Sequence, residues 1–260
     1  MKGTAKKNRL WIFDFDGTLS EIVPNRHDAL LDASCREMLE RLIKQHDGHV
    51  AILSSREIHD LADRADIPGI YLGGSSGMEW ILPDGERRSF LKDFDRLLHE
   101  KRSALFAEIK KLQLIHDLDV EDKTWSMTFH LRNTDPEKKE WIPAFIKNWE
   151  TRYAIKVLEG PEALEAHFLP ELNKSFGVQK FCEITGATPE TTHIVYAGDD
   201  ENDAIAMQWV VERGGIAYTV GVFPLVPGSR TVRKPFQLPS LICQLLEEGV
   251  GGISTGGLSA

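Results

Sequence analysis

The feature that most constrains this chain is the join between Leu10-Trp11-Ile12-Phe13 and Asp14-Phe15-Asp16-Gly17-Thr18. A short continuous apolar run suits a strand buried on both faces of a parallel sheet. Ligands of open α/β sheets bind beyond the carboxyl ends of such strands, and the acids begin there. Residues i and i+2 of a strand project to one side, so Asp14 and Asp16 converge, while Gly17 lets the backbone turn beneath them. Such a pair suits attack on phosphorus by the Asp14 carboxylate and proton transfer by Asp16, provided a cation neutralises the approaching charges. A merely solvated acidic turn has the same composition, so the rest of the chain must decide.

A βαβ rhythm continues from that strand. Residues 32–46 place Met38, Leu39, Leu42 and Ile43 at helical spacing, and a second buried strand runs over 49–53. The rhythm resumes with a helix from Lys174, a strand at 193–197, a helix from Glu201 and a strand at 215–220. Between the halves, strands alternate with helices after a Pro83-Asp84-Gly85 turn. There Trp125, Met127, Phe129 and Leu131 share one strand face, and Thr124, Ser126, Thr128, His130 and Arg132 share the other. One face packs; the other is free to meet a polar ligand. The expected fold is α/β: a doubly wound, Rossmann-like parallel-sheet core over 1–79 and 171–250, with an inserted smaller α/β cap domain at 80–170. Residues 251–260 are rich in Gly and Ser and are expected to form a peripheral tail.

At 260 residues the chain has room for one large domain or two modest ones. Its formal charge of -9, from 40 acidic and 31 basic residues, comes without a dense Lys/Arg cluster. That argues against nucleic acid and anionic membrane as partners, and an anionic ligand must be held by local cations. Cys35, Cys182 and Cys243 match no zinc or disulfide spacing and read as small core residues in a reducing compartment. Lys2, Lys6, Lys7 and Arg9 adjoin an apolar run too short for a signal peptide or a membrane span, so a cytoplasmic location is expected.

Gly198-Asp199-Asp200-Glu201-Asn202-Asp203 follows the strand at 193–197, again at a carboxyl edge. Mg²⁺ takes oxygen ligands, usually one or two carboxylates plus waters and substrate phosphate, a role that Asp14 and Asp199 fit. Asp200 and Asp203 would then orient waters or neighbouring ligands. Without the first motif the same run reads as a helix amino-terminal cap. Lys174, preceded by Asn173, starts the helix that returns the chain to the core, where an ammonium can bridge nucleophile and phosphate. Ser54-Ser55-Arg56 ends the second strand, and the Ser54 hydroxyl with the amides of the following helix start can hold a phosphate or simply cap that helix.

The order Asp-x-Asp-Gly-Thr, strand-end Ser, Lys, paired acids resembles the haloacid dehalogenase superfamily over most of residues 9–222. The resemblance implies a catalytic set of Asp14, Asp16 and Lys174, and a phosphate group of Thr18, Ser54, Ser55 and Arg56. Its implied metal set is Asp14, Asp199 and Asp16, the last through its backbone carbonyl. The insertion is similar to the large α/β cap of the sugar-phosphatase branch, which closes over the substrate and excludes water. Asp14 to Pro24, Ser54-Ser55-Arg56 and the segment from Gly74 to Glu79 resemble the trehalose-6-phosphate phosphatase family. In the cap, Lys123, Ser126, His130 and Arg132 match a spacing associated with that family's sugar-side contacts, and Glu165 matches its glucose-binding Glu. Ser126, His130 and Arg132 fall on the polar strand face, whereas Lys123 lies outside that alternation. Departures are Ser55 where the family has Gly, Ser76 where it has His, Ser175 where Gly follows the Lys, and Asn202 where Thr sits between acids. The interval from Glu165 to Lys174 also lacks the family's Arg-Pro pair.

The implied function is a Mg²⁺-dependent phosphatase that converts trehalose 6-phosphate to trehalose and phosphate through an aspartyl-phosphate, with a functional link to a sugar-phosphate synthase. Two readings compete. One keeps the chemistry and changes the sugar to glucosylglycerol phosphate, a glycosyl-phosphoglycerate or sucrose phosphate. The other is a catalytically silent sugar-phosphate-binding domain that regulates a partner synthase.

Overall fold

The apolar run forms β1 (Asn8–Phe13). The computed structural model describes residues 8–45, 48–116, 118–132, 134–160, 162–188, 191–222 and 226–248, so the expected tail at 251–260 lies outside the described residues. After β1 come α1 (Ala33–Lys44), β2 (Gly48–Leu53), α2 (Ile58–Arg64), β3 (Tyr71–Gly74), β4 (Glu79–Ile81) and β5 (Arg87–Ser89). The insertion supplies α3 (Asp95–His116), β6 (Asp119–Asp122), β7 (Ser126–His130), α4 (Pro136–Lys147), α5 (Trp149–Tyr153), β8 (Lys156–Gly160) and β9 (Ala163–His167). The chain ends with α6 (Lys174–Thr185), β10 (Thr192–Gly198), α7 (Glu201–Val211), β11 (Ile216–Val220), β12 (Arg230–Val232) and α8 (Leu238–Glu248).

Eight strands make one sheet in the order β12-β11-β10-β1-β2-β3-β4-β5, parallel from β12 through β3. Alternation along β1 explains its unbroken hydrophobicity. Leu10 and Ile12 pack with Val178, Phe181, Ala206 and Met207 of α6 and α7. Trp11 and Phe13 pack on the opposite side with Leu39, Leu61, Leu238 and Ile242 of α1, α2 and α8. Both faces are covered, and each fully buried aliphatic or aromatic side chain contributes about 1.5–3 kcal/mol.

The sequence placed the insertion's border at residue 80, but β4 pairs antiparallel with β3, and β5 with β4, so the large sheet continues to Ser89. The Pro83-Asp84-Gly85 turn closes a hairpin on that sheet, with Gly85 at φ +85, instead of opening a new one.

A second, antiparallel sheet has the order β6-β7-β9-β8. Trp125, Met127, Phe129 and Leu131 are buried with Leu105, Ile109, Ile142, Ile146 and Trp149 of α3, α4 and α5. The opposite face keeps the polar residues. Two contacts tie this sheet to the β1–α1 loop: Arg26 pairs with Glu121 of β6, and Arg132 donates to the carbonyl of Pro24. No helix among the described residues is long and apolar enough to cross a membrane.

Candidate active site

Chain order brings the motifs together. β1 lies between β10 and β2, so Asp14, Asp199 and Ser54 leave three adjacent parallel strands at their carboxyl ends. The chain crosses from β1 to β2 on one side and later enters β10 on the other, and such a switch point opens a crevice. Asp14 N–H donates to the carbonyl of Ala197 at 2.9 Å, which extends the β1–β10 pairing to the acid itself.

Asp14 is buried, and its Oδ1 accepts from Lys174 Nζ at 2.6 Å. Lys174 also donates to Asp203 Oδ1 at 2.6 Å and is 1% exposed. Asn173 caps α6 by accepting from Ser175 N–H, which fixes Lys174 as the first helical residue and aims it at β1. Asp203 is fully engaged: Tyr196 Oη donates to its Oδ1 at 2.7 Å, and the amides of Asp199 and Asp200 donate to its Oδ2 at 3.1 and 3.2 Å. Asp200 and Asp203 form a reciprocal capping box at the start of α7, so the cap expected from sequence and the acid cluster are the same structure.

A carboxylate oxygen from each of Asp14, Asp199 and Asp203 lies within 4.8 Å of the other two; because the Asp203 oxygens already accept four hydrogen bonds, Asp14 and Asp199 are the two that can offer hard oxygens to a small divalent cation. Gly17 makes room for Asp199: a Cβ there, at φ +80, would meet Asp199 Oδ2 at 1.9 Å. Burial, with the charges of Asp200 and Asp16, pushes Asp14 up to about 6 against the pull of Lys174. Burial and then the Asp14 charge push Asp199 up to about 10. Burial works against the Lys174 ammonium, yet Asp14 and Asp203 together outweigh it and hold its pKa well above the ordinary lysine value. One lysine thus serves a crowd of acids, whose mutual repulsion is relieved by protonation or by a further cation.

A cavity of about 410 Å³ opens between the two sheets, lined among others by Asp16, Ser55, Arg56, Asp199, Asn202 and, from the second sheet, Glu165. Thr18 and Ser54 are buried, and neither lines that cavity. The Thr18 hydroxyl has no hydrogen-bond partner among the described residues, and the Ser54 hydroxyl accepts from Arg56 N–H at 3.1 Å. The amides at the start of α2, expected to face an anion, are taken by the Glu57 carboxylate, which accepts from His59 and Asp60 N–H. Arg56, expected on the phosphate, instead grips Asp16 through two bonds of 2.6 Å. Three of the positions that depart from the family pattern meet: Asn202 Nδ2 donates to Ser76 Oγ at 3.1 Å and Ser55 Oγ at 3.4 Å, while its Oδ1 accepts from Lys174 N–H at 3.0 Å.

The second sheet divides the expected sugar-side set. Glu165 Oε1 accepts from Ser126 Oγ at 2.6 Å and Lys123 Nζ at 3.1 Å, and the charges of Lys123 and His167 overcome burial to hold Glu165 well below the usual carboxylate range. Lys123 reaches this cluster from the β6–β7 turn, which is why it lies outside the strand alternation. His130 and Arg132 do not join it. His130 Nε2 lies 3.4 Å from Glu121 Oε2, and Arg132, past the end of β7, is 53% exposed and pairs with Glu162 at 2.8 Å. Two buried polar atoms went unassigned in the sequence. Among the described residues Thr128 Oγ1, opposite Glu165 in the β7–β9 register, has no hydrogen-bond partner and lines the cavity, and His167 Nε2 has none either, although it lies 3.7 Å from Glu165 Oε2. The period-2 alternation carried the signal for Thr128. Tyr196 gave none, because a tyrosine in a strand buried on both faces reads as core.

A model of the trehalose-phosphatase family matches residues 12–240. The trehalose-phosphate phosphatases of Mycobacterium tuberculosis and Mycobacterium avium are 30% and 31% identical over 218 residues, covering 82% of this chain and 54% of theirs. The chain therefore spans about half the length of the curated relatives it matches. Among solved structures, the C-terminal domain of C. albicans trehalose-6-phosphate phosphatase aligns with a TM-score of 0.74 at 20% identity, covering 93% of each chain. A haloacid dehalogenase-like hydrolase from Bacteroides thetaiotaomicron aligns with a TM-score of 0.60 at 17% identity, covering 92% of this chain and 100% of that one. At these identities the structural likeness concerns the fold.

Proposed function

We propose, from the premise that this chain belongs to the trehalose-phosphatase family, that it hydrolyses trehalose 6-phosphate to trehalose and inorganic phosphate with Asp14 as nucleophile. One observation supports this most: the buried Lys174 ammonium bridges Asp14 and Asp203 at 2.6 Å each, at the carboxyl edge of the sheet. A lysine so placed holds a carboxylate ionised and in position next to incoming phosphate, which fits nucleophilic attack better than a passive acidic cap.

In the proposed reaction an Asp14 oxygen bonds to phosphorus while the ester P–O bond breaks, and the departing sugar oxygen takes a proton from the Asp16 carboxyl. Asp16 then accepts a proton from water as that water attacks the aspartyl-phosphate, and the bond from phosphorus to Asp14 breaks. Asp16 suits the task because its side chain is 43% exposed at the cavity, whereas Asp14 is buried. Mg²⁺ held by oxygens of Asp14 and Asp199 would neutralise the charge of the phosphate and favour the ionised form of both acids. Lys174 and the amide cradle around Asp203 keep these oxygens in place.

Residues 91–167 act, on this reading, as a cap whose polar face supplies the sugar contacts. The cavity falls in the size range of small-molecule sites. Lys123, Ser126, Glu165 and Thr128 are the groups for hydroxyl recognition, and His130 and Arg132 serve the contact with the β1–α1 loop. A cytoplasmic setting, with a sugar-phosphate synthase as functional neighbour, accords with the burial of Cys35 and Cys182 among apolar side chains. Release of phosphate from trehalose 6-phosphate by the purified protein, present with Mg²⁺ and absent in the Asp14→Asn variant, tests the proposal. Phosphate release that survives in that variant would refute it.

A further inference from the structure

Arg56 is 4% exposed, and four of its five N–H groups are committed to named acceptors. Nε donates to Asp16 Oδ2 and Nη2 to Asp16 Oδ1, both at 2.6 Å, in the fork geometry that only a guanidinium provides. Nη2 also donates to the carbonyl of Arg26 at 2.7 Å, and Nη1 donates to Asp60 Oδ2 at 2.6 Å. The guanidinium sits 5.5 Å from the centre of the buried Phe15 ring, which lies between Asp14 and Asp16 in sequence.

Asp60 extends the arrangement. Its Oδ1 accepts from Arg64 Nε and Nη2 at 3.1 and 2.9 Å, and Arg64 Nη1 donates to the carbonyls of His27 and Ala29 at 2.9 Å each. Two arginines and one aspartate of residues 56–64 thereby fix three carbonyls of the loop over 26–29. That loop carries the Arg26 side chain to Glu121 in the second sheet. A guanidinium with this many protein acceptors is spent on architecture, and each Asp16 oxygen keeps a lone pair for a proton.

We infer that Arg56 is a positioning residue for proton transfer: it aims the Asp16 carboxyl into the cavity by tying it to the 26–29 loop and to Asp60. The inference rests on the reading of Asp16 as proton donor to the leaving group. Lysine at 56 keeps the charge but offers a single point donor that cannot hold both oxygens. Misaiming a general acid slows expulsion of an oxygen that needs a proton and spares one that leaves as a stable anion.

The test is Arg56→Lys in the full-length protein with Mg²⁺, with an unchanged circular dichroism spectrum as the check of folding. Values of kcat/KM, which cover steps through the first phosphoryl transfer, are compared for glycerol phosphate and p-nitrophenyl phosphate, both too small to use the sugar contacts. Trehalose 6-phosphate and wild type serve as the reference. The variant should lose about 100-fold on the alkyl ester and less than about threefold on the aryl ester, the scale of general acid catalysis. If Arg56→Lys does not fold, Asp60→Asn loosens the same guanidinium and should show the same ordering of losses. Equal losses on the two small esters, or no loss on either, would overturn the inference while wild-type turnover of trehalose 6-phosphate leaves the proposed function standing. Wild-type protein inert toward all three esters would overturn both.

Discussion

Lys174 Nζ lies 2.6 Å from Asp14 Oδ1, although 160 residues of chain separate them. The insertion between them is bridged because Asn173 caps α6 and sets its first residue against the end of β1. Replacing Asp14 by Asn keeps the shape and removes both the proposed anionic nucleophile and a proposed metal oxygen. Turnover should fall by roughly a thousandfold or more with the fold retained. Steady-state phosphate release checks this, and a loss of less than about tenfold, or about 1.4 kcal/mol, would exclude Asp14 as the attacking group.

Gly17→Ala tests the cradle under the acid cluster. The added methyl would meet Asp199 Oδ2 at 1.9 Å on a backbone at φ +80, so Asp199 must move. The Mg²⁺ concentration for half-maximal activity is expected to rise by at least about tenfold, on the scale of lost metal orientation. An unchanged Mg²⁺ titration would show that Asp199 does not help hold the ion.

On the proposed function, protonation and Mg²⁺ binding compete at the same acids, which makes stability a readout independent of turnover. Asp14, pushed to about 6, and Asp199, pushed to about 10, both hold protons more tightly folded than at their ordinary value of 3.8. Their contribution to stability is present below pH 3.8 and is lost as pH climbs through the folded values, so the chelated protein weakens from about pH 4 upward. Mg²⁺ offsets that loss by binding the ionised forms. The gap in Tm between Mg²⁺ and chelator should therefore widen from pH 5 to pH 8, by roughly 5 °C or more. Scanning fluorimetry checks it; an equal gap at both pH values would count against a cation at these acids.

The proposed sugar contacts divide along the second sheet. Glu165 takes Ser126 and Lys123 as donors at the cavity, whereas Arg132 is half-exposed and faces Glu162 and the Pro24 carbonyl. Glu165→Gln should lower kcat/KM for trehalose 6-phosphate by about 10–1000-fold and leave p-nitrophenyl phosphate within about threefold. Arg132→Ala should cost less than about tenfold on the sugar ester, because an exposed pair contributes at most about 1 kcal/mol. A reversed ranking of the two variants would move the sugar site toward the β1–α1 loop.

Much of the placement was legible in the sequence, and the reason differs by residue. Asp14 and Asp199 at strand ends and Lys174 at a helix start were placed by local chemistry, an apolar run before Asp14 and an Asn cap before Lys174. The packed face of β7 was legible from period-2 alternation alone. What sequence could not give was partner choice among groups of opposite charge. The family resemblance put Arg56 on the phosphate, yet its acceptors Asp16 and Asp60 and the Arg26 carbonyl come from two different segments that only the folded loop brings together. His130 and Arg132 shared a parity with Ser126, but parity fixes the face and not the position along it. The hairpin of β4 and β5 was read as the insertion because a turn signal does not say which sheet it extends.

Asp14 chemistry, on the proposed function, serves a phosphorylated disaccharide. Its most direct test is phosphate release by the wild-type protein with Mg²⁺, with kcat/KM compared across trehalose 6-phosphate, sucrose phosphate, glucosylglycerol phosphate and a glycosyl-phosphoglycerate. Trehalose 6-phosphate should lead the panel by at least about tenfold, the discrimination that one or two cavity hydrogen bonds supply. A different ester in the lead would keep the phosphatase and replace the sugar, and no release from any of them would contradict the account at its root.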